Sequence, residues 1–204
     1  MSSQDRPTLK LPVGERDHIE GSPDAKVTLL EYGDYQCPYC GEAYPILKQI
    51  QKRFGSELRF VFRNFPITES HPMAEFGAEL AEASGAQGKF WEMHDYIYEH
   101  QSGLLSQNFF FNFAKSTLRL NESRMMREVS SHAYEPRIRE DFMSGVRSGV
   151  NGTPTFFVDG LRHNGDYQYD TLVEAVETVL RGSKEKEPSK KMAKKSAKKV
   201  GAPK

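Results

Sequence analysis

Residues 27–63 restrict the fold more than any other part of the sequence. Residues 27–32, VTLLEY, form a compact apolar run that predicts a buried strand. Apolar residues then recur at helical spacing as far as Phe54, and alternation at residues 58–63 predicts a second strand. This order predicts a βαβ unit, with the segment Cys37-Pro38-Tyr39-Cys40 where the first strand meets the helix.

The sequence contains only two cysteines, Cys37 and Cys40, separated by two residues. A structural disulfide stabilises a fold most when it closes a long loop, so this pair would constrain little of the unfolded chain. A structural zinc site needs four ligands, and the sequence has neither a second C-x-x-C motif nor a paired histidine motif. The pair is therefore predicted to be a redox-active dithiol, and no metal site is expected.

The position of the cysteines predicts different roles for them. A thiol attacks only as the thiolate, and the partial positive charge of a helix N-terminus lowers the pKa of a thiol placed there. Cys37 lies at the predicted helix start and is assigned as the nucleophile. Cys40 lies one turn further in, where it is more shielded, and is assigned as the resolving thiol that attacks a mixed disulfide. Pro38 suits the start of a helix, because its missing N–H would be unpaired there anyway.

The rest of the chain predicts an α/β fold, a central mixed sheet flanked by helices with an inserted all-helical domain. Helical periodicity dominates residues 68–150, and strand signals return at residues 155–158 and 161–163. Thr171 with Glu174 predicts a capping box for a last helix, and Asn121 predicts an N-cap within the insertion. We therefore divide the chain into a leader at 1–25, an α/β domain at 26–67 and 151–182, the helical domain at 68–150, and a tail at 183–204.

The formal net charge of zero hides a segregation of charge. Residues 183–204 hold nine lysines and two glutamates, +7, which leaves −7 on the rest of the chain. A segment so poor in apolar residues is expected to be disordered. We favour a solubilising role for this Lys-rich tail over contact with nucleic acid or an anionic surface, because it lacks arginine and interleaved aromatic residues.

Two further patterns concern location. The sequence has no run of 18 or more apolar residues, so no membrane span is expected. The first 20 residues contain no apolar core typical of a signal peptide, which favours a cytoplasmic location. The histidines at 71, 94, 100 and 163 show no ligand spacing, and we expect them to be surface or hydrogen-bonded residues.

Two segments carry a resemblance to a known family. EYGDYQCPYC at residues 31–40, together with NGTPTFFVDG at residues 151–160, resembles the DsbA-like branch of the thioredoxin superfamily. The resemblance covers roughly residues 26–182. It implies a thioredoxin-like fold interrupted by a helical domain, and the activity of a thiol–disulfide oxidoreductase.

The resemblance also implies roles for individual residues. Glu31 falls where the family places a buried acid beneath the disulfide, and a carboxyl of raised pKa there could accept the proton that Cys40 loses. The alternative is a solvated glutamate at a strand end. Pro154 falls in the cis-proline loop, where the backbone of Thr153 would pair with an extended substrate segment. The alternative is an ordinary trans-proline that opens an edge strand. Pro38 and Tyr39 would border the same substrate site.

Tyr39 also bears on the redox potential. The periplasmic founding type of the family carries histidine at this position, whereas CPYC is typical of glutaredoxins. Such pairs have potentials of about −200 to −230 mV, between about −120 mV for a strong oxidant and about −270 mV for thioredoxin. We therefore expect an intermediate potential, protein thiols and disulfides as substrates, and no cofactor besides the dithiol. The alternatives are a glutathione-linked reductase or transferase of the same fold, with glutathione as co-substrate, and a non-catalytic peptide-binding holdase.

Overall fold

The computed structural model describes residues 6–182, in which five strands form one mixed sheet in the order β1-β3-β2-β4-β5. The strands are β1 His18–Gly21, β2 Val27–Gly33, β3 Leu58–Asn64, β4 Thr155–Val158 and β5 Leu161–Arg162. Strands β2 and β3 are parallel, and the other neighbouring pairs are antiparallel. The Lys-rich tail at 183–204 lies outside the described residues, so its predicted disorder stays a prediction.

Seven α-helices accompany the sheet within the described residues. They are α1 Pro38–Phe54, α2 Ala74–Gly85, α3 Phe90–Glu99, α4 Gln107–Ser116, α5 Glu122–Ser130, α6 Glu135–Arg147 and α7, residues 169–182. Helix α1 connects the parallel strands β2 and β3, which confirms the predicted βαβ unit. Five helices, α2 to α6, lie between β3 and β4, where the sequence predicts the helical insertion. None of the helices in residues 6–182 combines the length and apolar character needed to cross a bilayer.

Strand β2 is buried on both faces, which explains its continuous apolar run. Val27 and Leu29 belong to the larger apolar core, together with the inward side of α1. Leu30 and Tyr32 point to the opposite face and pack in a second cluster that includes Phe157. Residues of α2 to α6 join the larger cluster, so the helices between β3 and β4 share one core with the sheet. The domain boundaries drawn from the sequence stay a prediction.

Two local features differ from expectation. Residues 18–21, which lie in the predicted leader, form β1 and pair with β3 at the edge of the sheet. The segment HIEG has neither an apolar run nor a clear alternation, so only pairing with β3 makes it a strand. Helix α7 begins at residue 169, and Thr171 lies inside its first turn with its hydroxyl donating to Asp166. The predicted capping box is therefore wrong, whereas Asn121 does cap α5 by accepting the Arg124 N–H at 2.9 Å.

Candidate active site

The dithiol segment follows directly from the end of a buried strand. After Gly33 a short turn leads into α1, with Cys37 as the N-cap residue and Pro38 at the first helical position. The Asp34 carboxylate holds this turn, because Oδ1 accepts the N–H groups of Gln36 at 2.8 Å and Cys37 at 3.2 Å. The helix start thus lies beneath the Cys37 side chain, where its field favours a thiolate.

The two thiols have different surroundings. In its protonated form the Cys37 thiol donates to the Thr153 carbonyl oxygen at 3.3 Å. A hydrogen bond from the Cys40 thiol, assisted by the Thr153 side chain and by backbone N–H groups at the helix start, lowers the pKa of Cys37 to about 6, although Cys37 is itself buried and only 3% exposed. Cys40 is only 1% exposed, and burial raises its pKa well above the ordinary value. Both are free thiols. At neutral pH this arrangement holds Cys37 as thiolate and Cys40 as protonated thiol.

Glu31 lies inside the core beneath the dithiol. It is 1% exposed, which rules out the solvated strand-end alternative. Burial raises the pKa of Glu31 to about 8. The negative charge of Cys37 adds to this increase, whereas a hydrogen bond with Cys40 opposes it. Its Oε1 has no hydrogen-bond partner among the described residues. The carboxyl therefore lies within reach of the Cys40 thiol and carries a proton over most of the physiological pH range.

The loop before β4 faces the dithiol. The Thr153–Pro154 peptide bond is cis, and the Thr153 carbonyl is the group that contacts Cys37. Pro154 also lines an open cleft of about 360 Å³, which extends to His163 and Tyr167. The Tyr39 ring is 57% exposed and lies 6.5 Å from the ring of Tyr167, centroid to centroid.

The structure thus brings all seven predicted site residues to one end of the sheet. Cys37, Cys40, Glu31 and Thr153 lie at its centre, and the others, Pro38, Tyr39 and Pro154, border it. Within residues 6–182 no group of three or more histidine, cysteine or acidic side chains could hold a metal ion.

Three residues of the site were not predicted from the sequence. Gln101 comes from the helical insertion and donates from Nε2 to the carbonyl oxygens of Tyr35 at 3.0 Å and Cys37 at 2.8 Å. Asp34 holds the turn, and His71 contacts the second oxygen of Asp34 at 2.8 Å. Asp34 had a usable signal, since an aspartate commonly forms a turn by accepting the backbone N–H of the residue two positions later. Gln101 and His71 had none, because both reach the turn only through the fold.

His94, in the protein interior, is hydrogen-bonded, as one of the two predicted alternatives requires. His94 is 2% exposed, and its Nδ1 shares a 3.0 Å hydrogen bond with the Tyr35 hydroxyl. Burial holds the pKa of His94 well below its usual range. It is therefore a neutral, hydrogen-bonded core residue.

The comparison with protein families agrees with this geometry. The model of the family Thioredoxin_4, described as thioredoxin, matches residues 14–178. The chain belongs to this thioredoxin family. Oxidised BdbD from Bacillus subtilis superposes with a TM-score of 0.75 at 22% identity, over 87% of this chain and 100% of that one. The α-DsbA1 protein of Wolbachia pipientis gives a TM-score of 0.73 at 16% identity, over 91% of this chain and 99% of that one. These likenesses confirm the thioredoxin-like fold of the DsbA-like type.

Curated relatives with higher identity carry a different name. A protein of Salinispora arenicola named Na(+)/H(+) antiporter NhaA 1 is 41% identical over 177 residues, which cover 86% of this chain and 27% of that protein. A protein of Herminiimonas arsenicoxydans named Na(+)/H(+) antiporter NhaA is 36% identical over 180 residues, 88% of this chain and 28% of that protein. The chain thus spans about a quarter of the length of these relatives.

Proposed function

We propose that this chain is a thiol–disulfide oxidoreductase that exchanges disulfides with protein substrates. The observation that carries the proposal is the contrast between its two thiols, since the pKa of Cys37 is lowered to about 6 and that of Cys40 is raised well above normal. A nucleophilic thiol beside a protonated, shielded partner is what two-step exchange requires. The antiporter relatives do not suggest this chemistry by name, and the match covers only about a quarter of each.

In the first step the Cys37 thiolate attacks one sulfur of a substrate disulfide. The bond between the substrate sulfurs breaks, one substrate thiolate leaves with the electron pair, and a mixed disulfide forms at Cys37. The helix start and the hydrogen bonds to Cys37 supply the thiolate at neutral pH.

In the second step Cys40 loses its proton and attacks the Cys37 sulfur, which releases the second substrate thiolate and leaves the enzyme disulfide. Glu31 is the proposed acceptor of the Cys40 proton. The Cys37 charge is one cause of the raised Glu31 pKa, and this charge disappears in the mixed disulfide. Formation of the mixed disulfide therefore lowers the Glu31 pKa and favours its carboxylate when a base is needed. The same steps in reverse oxidise a substrate dithiol.

The loop opposite Cys37 provides the proposed substrate contacts. The Thr153 backbone borders the nucleophile, so an extended substrate segment could pair with it as an added strand. The exposed Tyr39 ring, with Pro38 beside it, would contact the residues around the substrate disulfide. This arrangement supports a polypeptide substrate.

The lowered pKa of Cys37 also supports an intermediate redox potential. The Cys37 pKa of about 6 lies between the pKa of the nucleophilic cysteine in a strong oxidant, about 3.5, and that in thioredoxin, about 7. We therefore expect a potential between about −120 and −270 mV. The cytoplasmic location stays a prediction, and the compartment would set the direction of exchange.

Reduction of insulin disulfides by the reduced protein tests the proposal. Cys37→Ser should abolish turnover, whereas Cys40→Ser should accumulate a mixed disulfide at Cys37 that can be isolated under non-reducing conditions. Exchange with glutathione but not with insulin would favour the glutathione-linked alternative. The holdase alternative would be favoured if the wild type shows no disulfide exchange but protects an unfolded protein from aggregation, and if Cys37→Ser protects it equally well.

A further inference from the structure

We propose that His71 is a positioning residue that sets the reactivity of Cys37 by holding the Asp34 carboxylate in the turn before the helix. The inference rests on the proposed dithiol exchange and adds a residue that lies outside the C-x-x-C motif. His71 precedes α2, in the loop that follows β3.

The contacts of Asp34 carry the argument. Its side chain is fully buried, and each of its two oxygens accepts two N–H groups. Oδ1 accepts the N–H groups of Gln36 and Cys37. Oδ2 accepts the N–H of Ile67 and Nδ1–H of His71, both at 2.8 Å. A buried carboxylate is costly unless donors satisfy it, so these four donors determine where Asp34 can lie.

His71 differs from the other three donors because it is a side chain. The Gln36, Cys37 and Ile67 donors are backbone groups that any residue would supply. The His71 ring is 19% exposed and closes the solvent side of the buried carboxylate. The loop that carries His71 also contacts the turn before α1 through Met73, whose N–H donates to Gln36 Oε1 at 2.6 Å. Hydrogen bonds on both sides of His71, from Ile67 to Asp34 and from Met73 to Gln36, thus hold the ring against Asp34.

The link to Cys37 is electrostatic. Asp34 contacts the Cys37 N–H, so its negative charge lies close to the thiolate and opposes it as a like charge. A donor on Oδ2 draws this charge toward the far oxygen, whether the imidazole is neutral or protonated. Without His71, more charge remains near Cys37, and the thiolate becomes less stable. Among the described residues, other titratable groups that act on this thiolate are Cys40 on α1, Glu31 on β2 and Tyr167 before α7.

Substitution of His71 tests the inference through the titration of Cys37. In His71→Leu we expect the Cys37 pKa, measured by thiolate absorbance, to rise by about one unit. A one-unit rise from about 6 would lower the thiolate fraction at a pH near 6 about five-fold, and the alkylation rate with it. His71→Gln, which keeps an amide donor, should restore most of the wild-type value. His132→Asn is the control, because it removes an exposed histidine at a left-handed position that asparagine tolerates.

The outcomes separate this inference from the proposed function. A folded His71→Leu variant with the wild-type Cys37 titration would overturn the role of His71. A wild type that titrates as expected but does not exchange disulfides would overturn the proposed function alone. If His71→Leu does not fold, the wild type still decides, because the His71 imidazole ¹⁵N resonances should shift as Cys37 titrates. Resonances that do not respond to Cys37 would refute the coupling.

Discussion

Replacement of Glu31 by glutamine should stabilise the reduced protein at neutral pH. Burial raises the pKa of Glu31 from 4.5 to about 8 in the folded state, whereas the unfolded chain keeps the ordinary value. Between these two values the folded state binds a proton that the unfolded state has released, so stability falls as pH rises. The contribution is fully present below the unfolded pKa and is lost as the pH rises through the folded pKa.

The size of the effect follows from the separation of the two values. The pKa changes from 4.5 to about 8, and each unit corresponds to about 1.4 kcal/mol, which gives a total loss of about 5 kcal/mol above the folded value. About 3 kcal/mol of this would be lost by a pH of about 7. Glutamine has a similar shape and cannot ionise, so Glu31→Gln should avoid the loss.

Urea unfolding of the reduced protein at several pH values between about 5 and 8 measures this difference. The stability advantage of Glu31→Gln over wild type should increase across the range. Glu174→Gln serves as the control, because Glu174 is an exposed residue on α7. Parallel stability curves for Glu31→Gln and wild type would show that Glu31 does not carry a proton in the folded state.

Three further predictions follow from single contacts. The thiolate absorbance of the reduced protein should titrate with a midpoint near 6, and Cys37→Ser should remove this transition; a midpoint near 9 would contradict the site geometry. Gly145→Ala should destabilise the fold by about 1–3 kcal/mol in urea unfolding, because its Cβ would lie 2.8 Å from an aromatic ring carbon. Gly14→Ala, in open space, is the matched control, and equal effects would refute the steric reasoning. Asp17→Asn should cost about 3 kcal/mol, because it leaves the buried Arg63 guanidinium without its charge partner; an unchanged denaturation midpoint would contradict this.

Much of the fold was predictable because its signals are local. The βαβ unit, the strand after Pro154 and the helical character of residues 68–150 follow from periodicity, which depends on residues close together in the chain. Strand β1 was not predictable in this way. It is an edge strand whose residues gain their order from β3, and that pairing spans about 40 residues of sequence.

The candidate site shows the same division. The sequence alone determined that a dithiol stands at a helix start, because four consecutive residues and a strand–helix junction suffice for that. Only the tertiary structure decided that the Thr153 carbonyl, 116 residues away, lies 3.3 Å from Cys37. It also decided that Glu31 is buried and that His71 reaches Asp34. Desolvation and hydrogen bonding depend on which distant segments surround a group, and these effects give two identical thiols opposite pKa shifts.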